Sequence, residues 1–313
     1  MPTVTRRDFI KLSTAAGLAA AIAPPGSRAA SDSGPFSRTG KPRLRLSLAA
    51  YSFRENFPTM RGKPNTKVPP GRETDLFKFV DYCADHGCEG AELTSYFFAG
   101  ETDDYFIKLR RHCFLRGMAI SGTAIGNNFS LPKGPKLDEE IATTKQWIDR
   151  ARVLGAPHIR VFAGNAPKGF SRTEADKNVI TALAECSEYA GQRGIFLGLE
   201  NHDSIGSADA LLPMVQAVNS PWLGINLDSG NFHTADPYQD FARCVPYTVN
   251  VQFKGDVGDG TPKGTREGDL KRFTAILRDG GYQGWVALEY EGKEDAAIAV
   301  PRKLMEMKAL FAS

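Results

Sequence analysis

Four apolar runs in this chain end on, or directly beside, a side chain able to bind a cation or move a proton. Ile195–Leu199 is entered from the turn Arg193-Gly194 and stops on Glu200, Asn201 and His202. Trp222–Leu227 stops on Asp228, Thr248–Phe253 carries Gln252 with Lys254 just after it, and Trp285–Leu288 stops on Glu289. A carboxylate at the edge of a core is costly without a partner, so a buried strand that ends on one needs a reason. One such Glu is as readily a surface residue as a ligand. Four in succession, one strand-and-helix unit apart, point to a shared metal site at the C-terminal mouth of a barrel, where strand ends converge.

The elements that must position these residues alternate along the whole chain. Strands are expected at Leu44–Tyr51, Cys88–Leu93, Met118–Ile125, Pro157–Phe162, Ile195–Leu199, Trp222–Leu227, Thr248–Phe253 and Trp285–Leu288. Between and after them, helical periodicity or capping residues predict helices over 75–85, 103–116, 137–154, 173–193, 207–218, 236–244, 269–278 and 294–311, with Thr173 as the N-cap of the fourth. Eight βα units are most economically a closed (β/α)8 barrel, an α/β single domain over 44–313. A doubly wound open sheet is the alternative, but no Gly-rich dinucleotide fingerprint follows the first strand.

With Glu200, Asp228, Gln252 and Glu289 at successive strand ends, the chain from about Leu44 to Leu310 resembles the sugar phosphate isomerase/epimerase family, the xylose-isomerase-like TIM barrels. The resemblance implies a divalent metal held by these four residues, in a family that usually has His where Gln252 stands. All four would bind through oxygen, a hard set that favours Mn²⁺ or Mg²⁺, with Zn²⁺ or Co²⁺ admissible. Gln252 is a weaker, neutral donor; its other reading is a hydrogen bonder to Glu289 or Asp228. The resemblance also implies proton transfer beside a sugar carbonyl, with Glu200 and Glu289 as the acid and base. Glu291, of the same strand parity as Glu289, competes for that role. Lys254 resembles a family lysine that stabilises a developing oxyanion, or it neutralises the carboxylates. His202, Asn231 and His233 lie near the mouth as candidate substrate contacts. So do Glu92 and Arg160, which otherwise form a Glu–Arg pair bracing the barrel.

Before the barrel, Thr5-Arg6-Arg7-Asp8-Phe9-Ile10-Lys11, the short apolar stretch Leu12–Ala23 and the small residues Ser27 and Ala29 match a twin-arginine signal peptide over 1–29, with a linker over 30–43. Periplasmic or secreted localisation through the twin-arginine export machinery is the expectation. The apolar stretch is short for a bilayer span, so stable membrane insertion of the mature chain is not expected. Arg6, Arg7, Lys11 and Arg28 against Asp8 account for the whole formal charge of +3, which leaves the mature chain near neutral and gives no footprint for nucleic acid. The five cysteines lie among apolar residues, without zinc-like clustering, and read as buried thiols. Arg54–Arg72 is a long basic loop after the first strand, either a lid at the catalytic face or a solvated loop.

The function expected is a divalent-metal-dependent isomerase or epimerase of a free or oxidised sugar. The alternatives are a lyase or hydrolase on 3-keto-glycosides and a sugar-binding barrel without catalysis. A zinc endonuclease needs a histidine-rich mouth, which five histidines do not supply. A serine hydrolase would need a Gly-x-Ser-x-Gly elbow, and none appears. A homo-oligomer is compatible with the sequence.

Overall fold

A computed structural model describes residues 36–261 and 264–312; the leader at 1–29 and the linker as far as residue 35 lie outside the described residues. Eight parallel strands, β1 (Arg43–Ala49), β2 (Gly90–Thr94), β3 (Ala119–Ala124), β4 (His158–Val161), β5 (Phe196–Glu200), β6 (Leu223–Asp228), β7 (Thr248–Phe253) and β8 (Gln283–Leu288), form a closed barrel. Closure is between β1 and β8, with Leu48 opposite Leu288. The helices that follow the strands are α1 (Leu76–Asp85), α2 (Asp103–Leu115), α3 (Pro135–Leu154), α4 (Arg172–Gly191), α5 (Ala208–Val218), α6 (Pro237–Cys244), α7 (Leu270–Asp279) and α8 (Ala296–Ala312). This is the expected (β/α)8 barrel.

Local chemistry sets most of the helix starts. The side chains of Asp75, Thr102, Ser171, Ser207, Asp236 and Asp269 each accept from a backbone N–H in the first turn, satisfying donors that have no partner within the helix. The cap of α4 is therefore Ser171, two residues before the expected Thr173, because its hydroxyl reaches the N–H of Glu174. The core between helices and strands is aliphatic and aromatic, and all five cysteines are buried there as unpaired thiols. No described helix is long and apolar enough to cross a membrane.

Two register shifts matter for the site. Between Ala91 and Glu92 the β2–β3 pairing skips a residue, so that Glu92 lies opposite Gly122. Between Ile225 and Asn226 the β6–β7 pairing does the same, setting Asn226 opposite Asn250 and Asp228 opposite Gln252. Because strand side chains alternate, residues two apart share a face, and each shift re-aims the residues beyond it. The loop after β1 lies at the end of the barrel where Glu200 and Glu289 stand. Its turn Ala50–Asn56 leads to a short ribbon, Thr59–Met60 against Lys63–Pro64, docked by the Arg61 N–H on the Tyr96 carbonyl at 2.9 Å.

Candidate active site

All four expected ligands converge inside the barrel and are buried: Glu200 from β5, Asp228 from β6, Gln252 from β7, and Glu289 one residue beyond β8. Glu200 Oε2 lies 3.0 Å from Arg160 Nε, an ion pair whose N–H is not aligned as a hydrogen bond, and Glu200 Oε1 accepts from Asn231 Nδ2 at 2.9 Å. Arg160 is further fixed by donating to the Ile125 carbonyl at 3.2 Å and by the Phe162 ring 3.9 Å away. Burial acts to lower its pKa, but the surrounding groups, Glu200 first and then Tyr96, Glu289 and Glu92, together outweigh that and raise it. Arg160 therefore pairs with Glu200 on the neighbouring strand and not with Glu92, the bracing partner considered from sequence.

Gln252 has all its amide atoms engaged. Its Oε1 accepts from Asn226 at 2.6 Å, while its Nε2 donates to Glu92 Oε1 at 2.5 Å and to Glu289 Oε1 at 3.1 Å. The opposite amide orientation would turn an oxygen onto two carboxyl groups, so the network itself fixes this one. Asn250 completes the layer, donating at 2.8 Å to both Glu92 and Asn226. Glu92 is wholly buried beneath the cavity, and burial pushes its pKa up to about 7 despite the two amide donors.

Lys254 is the cation at the centre. Its Nζ lies 2.8 Å from Glu291, 3.4 Å from Asp228 and 4.0 Å from Glu289, and it donates to Asn231 Oδ1 at 3.3 Å. Asn231 therefore links Lys254 to Glu200. Asp228 Oδ1 accepts from the Gly230 N–H at 2.8 Å, while its Oδ2 is buried with no hydrogen bond. Asn201 clamps the Asp228 backbone from both sides, accepting from its N–H at 2.7 Å and donating to its carbonyl at 2.9 Å. Burial raises the pKa of Asp228 to about 7, Lys254 only partly opposing it, and raises that of Glu289 well above the usual range. Glu291 goes the other way: burial would raise it, but contact with Lys254 holds it below its ordinary value.

Above this layer opens a cavity of about 450 Å³ lined by Glu200, Lys254, Glu289, Glu291, Arg160 and His202, together with Tyr51, Arg61, Tyr96 and Asn127. His202 stands against Phe162, with its Nδ1 2.9 Å from Asp203. His233 is not in the cavity wall; its backbone N–H bonds to the Gly206 carbonyl. Sequence reasoning did not assign Tyr51, Tyr96, Asn127, Asn201, Asn226 or Asn250. The two asparagines of β6 and β7 carried a readable signal, since each sits two residues before an expected ligand and so shares its inward face.

The sequence profile of xylose isomerase-like TIM barrels matches residues 80–307. The chain belongs to that family. Among curated relatives, a mouse (Mus musculus) protein named "Putative hydroxypyruvate isomerase" is 24% identical over 165 residues, covering 48% of this chain and 60% of that protein. This chain thus spans less than two thirds of the relative it matches. Of solved structures, the 3-keto-D-glucoside 4-epimerase of E. coli superposes with a TM-score of 0.65 at 15% identity, over 85% of this chain and 100% of that one. The IOLI protein, whose crystal structure holds a zinc atom, superposes with a TM-score of 0.63 at 17% identity, over 85% and 96%. At these identities the likeness establishes the family's fold.

The donor set fits a divalent cation in charge and in chemistry. Glu92, Glu200, Asp228 and Glu289 are buried against Arg160 and Lys254, an excess of carboxyl groups over cations, with the more exposed Glu291 also on Lys254. Asp228 Oδ2 accepts no hydrogen bond, and the Lys254 ammonium faces it at 3.4 Å. As they stand, the carboxylates turn onto Arg160 and Lys254, and among the described residues no three His, Cys, Asp or Glu side chains gather closely enough to hold an ion. In this arrangement the Lys254 ammonium lies 3.4 Å from Asp228 and 4.0 Å from Glu289.

Proposed function

We propose that this protein is a sugar isomerase or epimerase that moves a proton at the carbon beside a carbonyl, with a divalent ion, Mn²⁺ or Mg²⁺, held by Glu200, Asp228 and Glu289. The observation that carries this reading is the buried carboxylate excess at the strand tops, open to a cavity large enough for a sugar. A bound ion supplies positive charge to the carbonyl oxygen and its neighbouring hydroxyl. The side chains do the rest. Arg160 and Asn231 hold Glu200 in one orientation, and Gln252 does the same for Glu289. One carboxylate takes the proton from carbon and the other carboxyl returns one, while Lys254 donates toward the oxygen on which charge develops. Two relatives carry names that denote keto compounds, a hydroxypyruvate and a 3-keto-glucoside, which suits carbonyl-assisted proton transfer. Incubating the protein with Mn²⁺ and a panel of keto- and aldo-sugars in D₂O is expected to exchange one C–H per responsive sugar, read by NMR. No exchange in any sugar would count against the reading.

Gln252 distinguishes this site from the family pattern. With its oxygen on Asn226, we assign it to holding Glu289 and Glu92 and not to the ion itself. Gln252→Ala is then expected to weaken Mn²⁺ binding by about 10- to 100-fold, the usual cost of losing a residue that orients a ligand. Gln252→His adds an imidazole and is expected to shift preference toward Zn²⁺ or Co²⁺. Calorimetric titration of metal-free proteins reads both. An Ala variant with unchanged affinity would overturn the orienting role.

For localisation we propose export by the twin-arginine route to the periplasm or beyond. Replacing Arg6 and Arg7 together by Lys should retain the precursor in the cytoplasm, as read by fractionation. Unchanged export of that variant would refute it.

A further inference from the structure

A second cavity, of about 410 Å³, adjoins the first and shares with it Arg61, Tyr96, Gly126, Asn127 and Glu140. Its far wall is built from Phe98, Gly100, Glu101, Thr143 and Trp147, out of contact with the carboxylate layer. Both volumes fall in the range of roughly 300–1,000 Å³ occupied by small-molecule sites. A single sugar ring at the carboxylates would leave the second cavity to water.

The neck between the cavities has donors without acceptors. Arg61, at the tip of the short ribbon, lays its guanidinium 4.0 Å over the Tyr96 ring and has no ion pair or side-chain hydrogen bond among the described residues. Tyr96 is 6% exposed, and its Oη is buried without a partner. A β-carbon on Gly126 would stand 2.7 Å from Tyr96 Oη and 3.3 Å from Arg61 Nη2, so the glycine keeps the passage open. Beyond the neck, Trp147 and Phe98 meet edge to face and give the cavity an apolar wall. Glu140 and Glu101 add acceptors at its margins. Aromatic faces with planar donors and carboxylate acceptors are the chemistry that binds a carbohydrate ring, whose C–H faces are apolar and whose hydroxyls both donate and accept.

We propose that the second cavity is a subsite for a second ring of the substrate, so that the substrate class is a glycoside or disaccharide bearing the reactive carbonyl in the first ring. Arg61 and Tyr96 grip the linkage between the rings. This rests on the sugar-carbonyl reading above, and the test separates the two. The probes are turanose, maltulose and isomaltulose, which carry a glucosyl group on O3, O4 or O6 of fructose, against fructose itself.

Saturation-transfer NMR and calorimetry on the metal-loaded protein should show at least one disaccharide binding roughly tenfold or more tightly than fructose, with transfer to both rings. Thr143→Trp fills the subsite from an exposed position on α3. Arg61→Asn removes the guanidinium but keeps a residue suited to the left-handed backbone at φ 53°. Each should collapse the disaccharide-to-fructose affinity ratio toward one. Disaccharides that bind no more tightly than fructose, or a ratio untouched by both variants, overturn the subsite. Tight two-ring binding without C–H exchange upholds the subsite and removes the proposed reaction.

Discussion

Glu200→Gln and Glu289→Gln are each expected to lower C–H exchange by about two to four orders of magnitude, the usual contribution of a positioned acid or base. Both substitutions keep the side-chain volume and remove only the ability to take a proton. In Glu200→Gln an amide oxygen still faces Arg160, now without the charge. In Glu289→Gln the position held by Gln252 stays filled, and a carboxyl whose pKa burial has already raised is replaced by a neutral group. Both variants should therefore keep the circular dichroism spectrum of the native barrel. If either retained near-native exchange, its role in proton transfer would be wrong, and Glu291, 2.8 Å from Lys254 and in the same cavity wall, would be the next base to test.

The second large effect is on stability. Arg160→Met is expected to cost about 3–5 kcal/mol in denaturant unfolding of the metal-free protein, because it leaves Glu200 buried without its cation. The pair is nearly solvent-free, with side-chain exposures of 5% and 3%, so water cannot substitute for the lost partner. Adding Glu200→Gln to Arg160→Met removes the stranded charge and should recover most of the loss. That non-additivity, read through a double-mutant cycle, is the signature of a direct pair. Additive costs would show that Arg160 acts through its hydrogen bond to Ile125 and its packing on Phe162 and not through Glu200.

Much of this architecture is readable in the chain, for reasons that particular residues make plain. The apolar runs that become β5 to β8 are short and buried, and the acids that end them interrupt an otherwise apolar pattern. Helix starts are legible where a capping oxygen precedes the periodic segment. The miss at Thr173 shows the limit, because Ser171 and Thr173 are both able to cap and only the path of the backbone selects one.

The partners inside the barrel were harder to read. Arg160 meets Glu200, and Glu92 meets Asn250 and Gln252, through strand stagger and two register shifts that leave no mark in composition. The role of Gln252 has the same origin. A glutamine at a ligand position reads from sequence as a weak ligand, and the hydrogen bond from Asn226 to its oxygen is what supports the orienting role proposed above.

His158 lies inside the barrel below Arg160, wedged where Gly122 and Gly198 have no side chains; a β-carbon on Gly122 would sit 2.7 Å from its ring. Burial, with Arg160 nearby, lowers its pKa to about 3, so the imidazole is neutral, and neither of its nitrogens has a hydrogen-bond partner. Beside it the buried hydroxyls of Ser47 and Ser121 satisfy each other at 2.7 Å. The ring works as a cork. The cavity at the opposite end of the barrel is lined in part by His158, so the ring stands between that end and the carboxylate layer. On the proposed function, a sugar would enter and leave on the carboxylate side, past Arg61 and its ribbon.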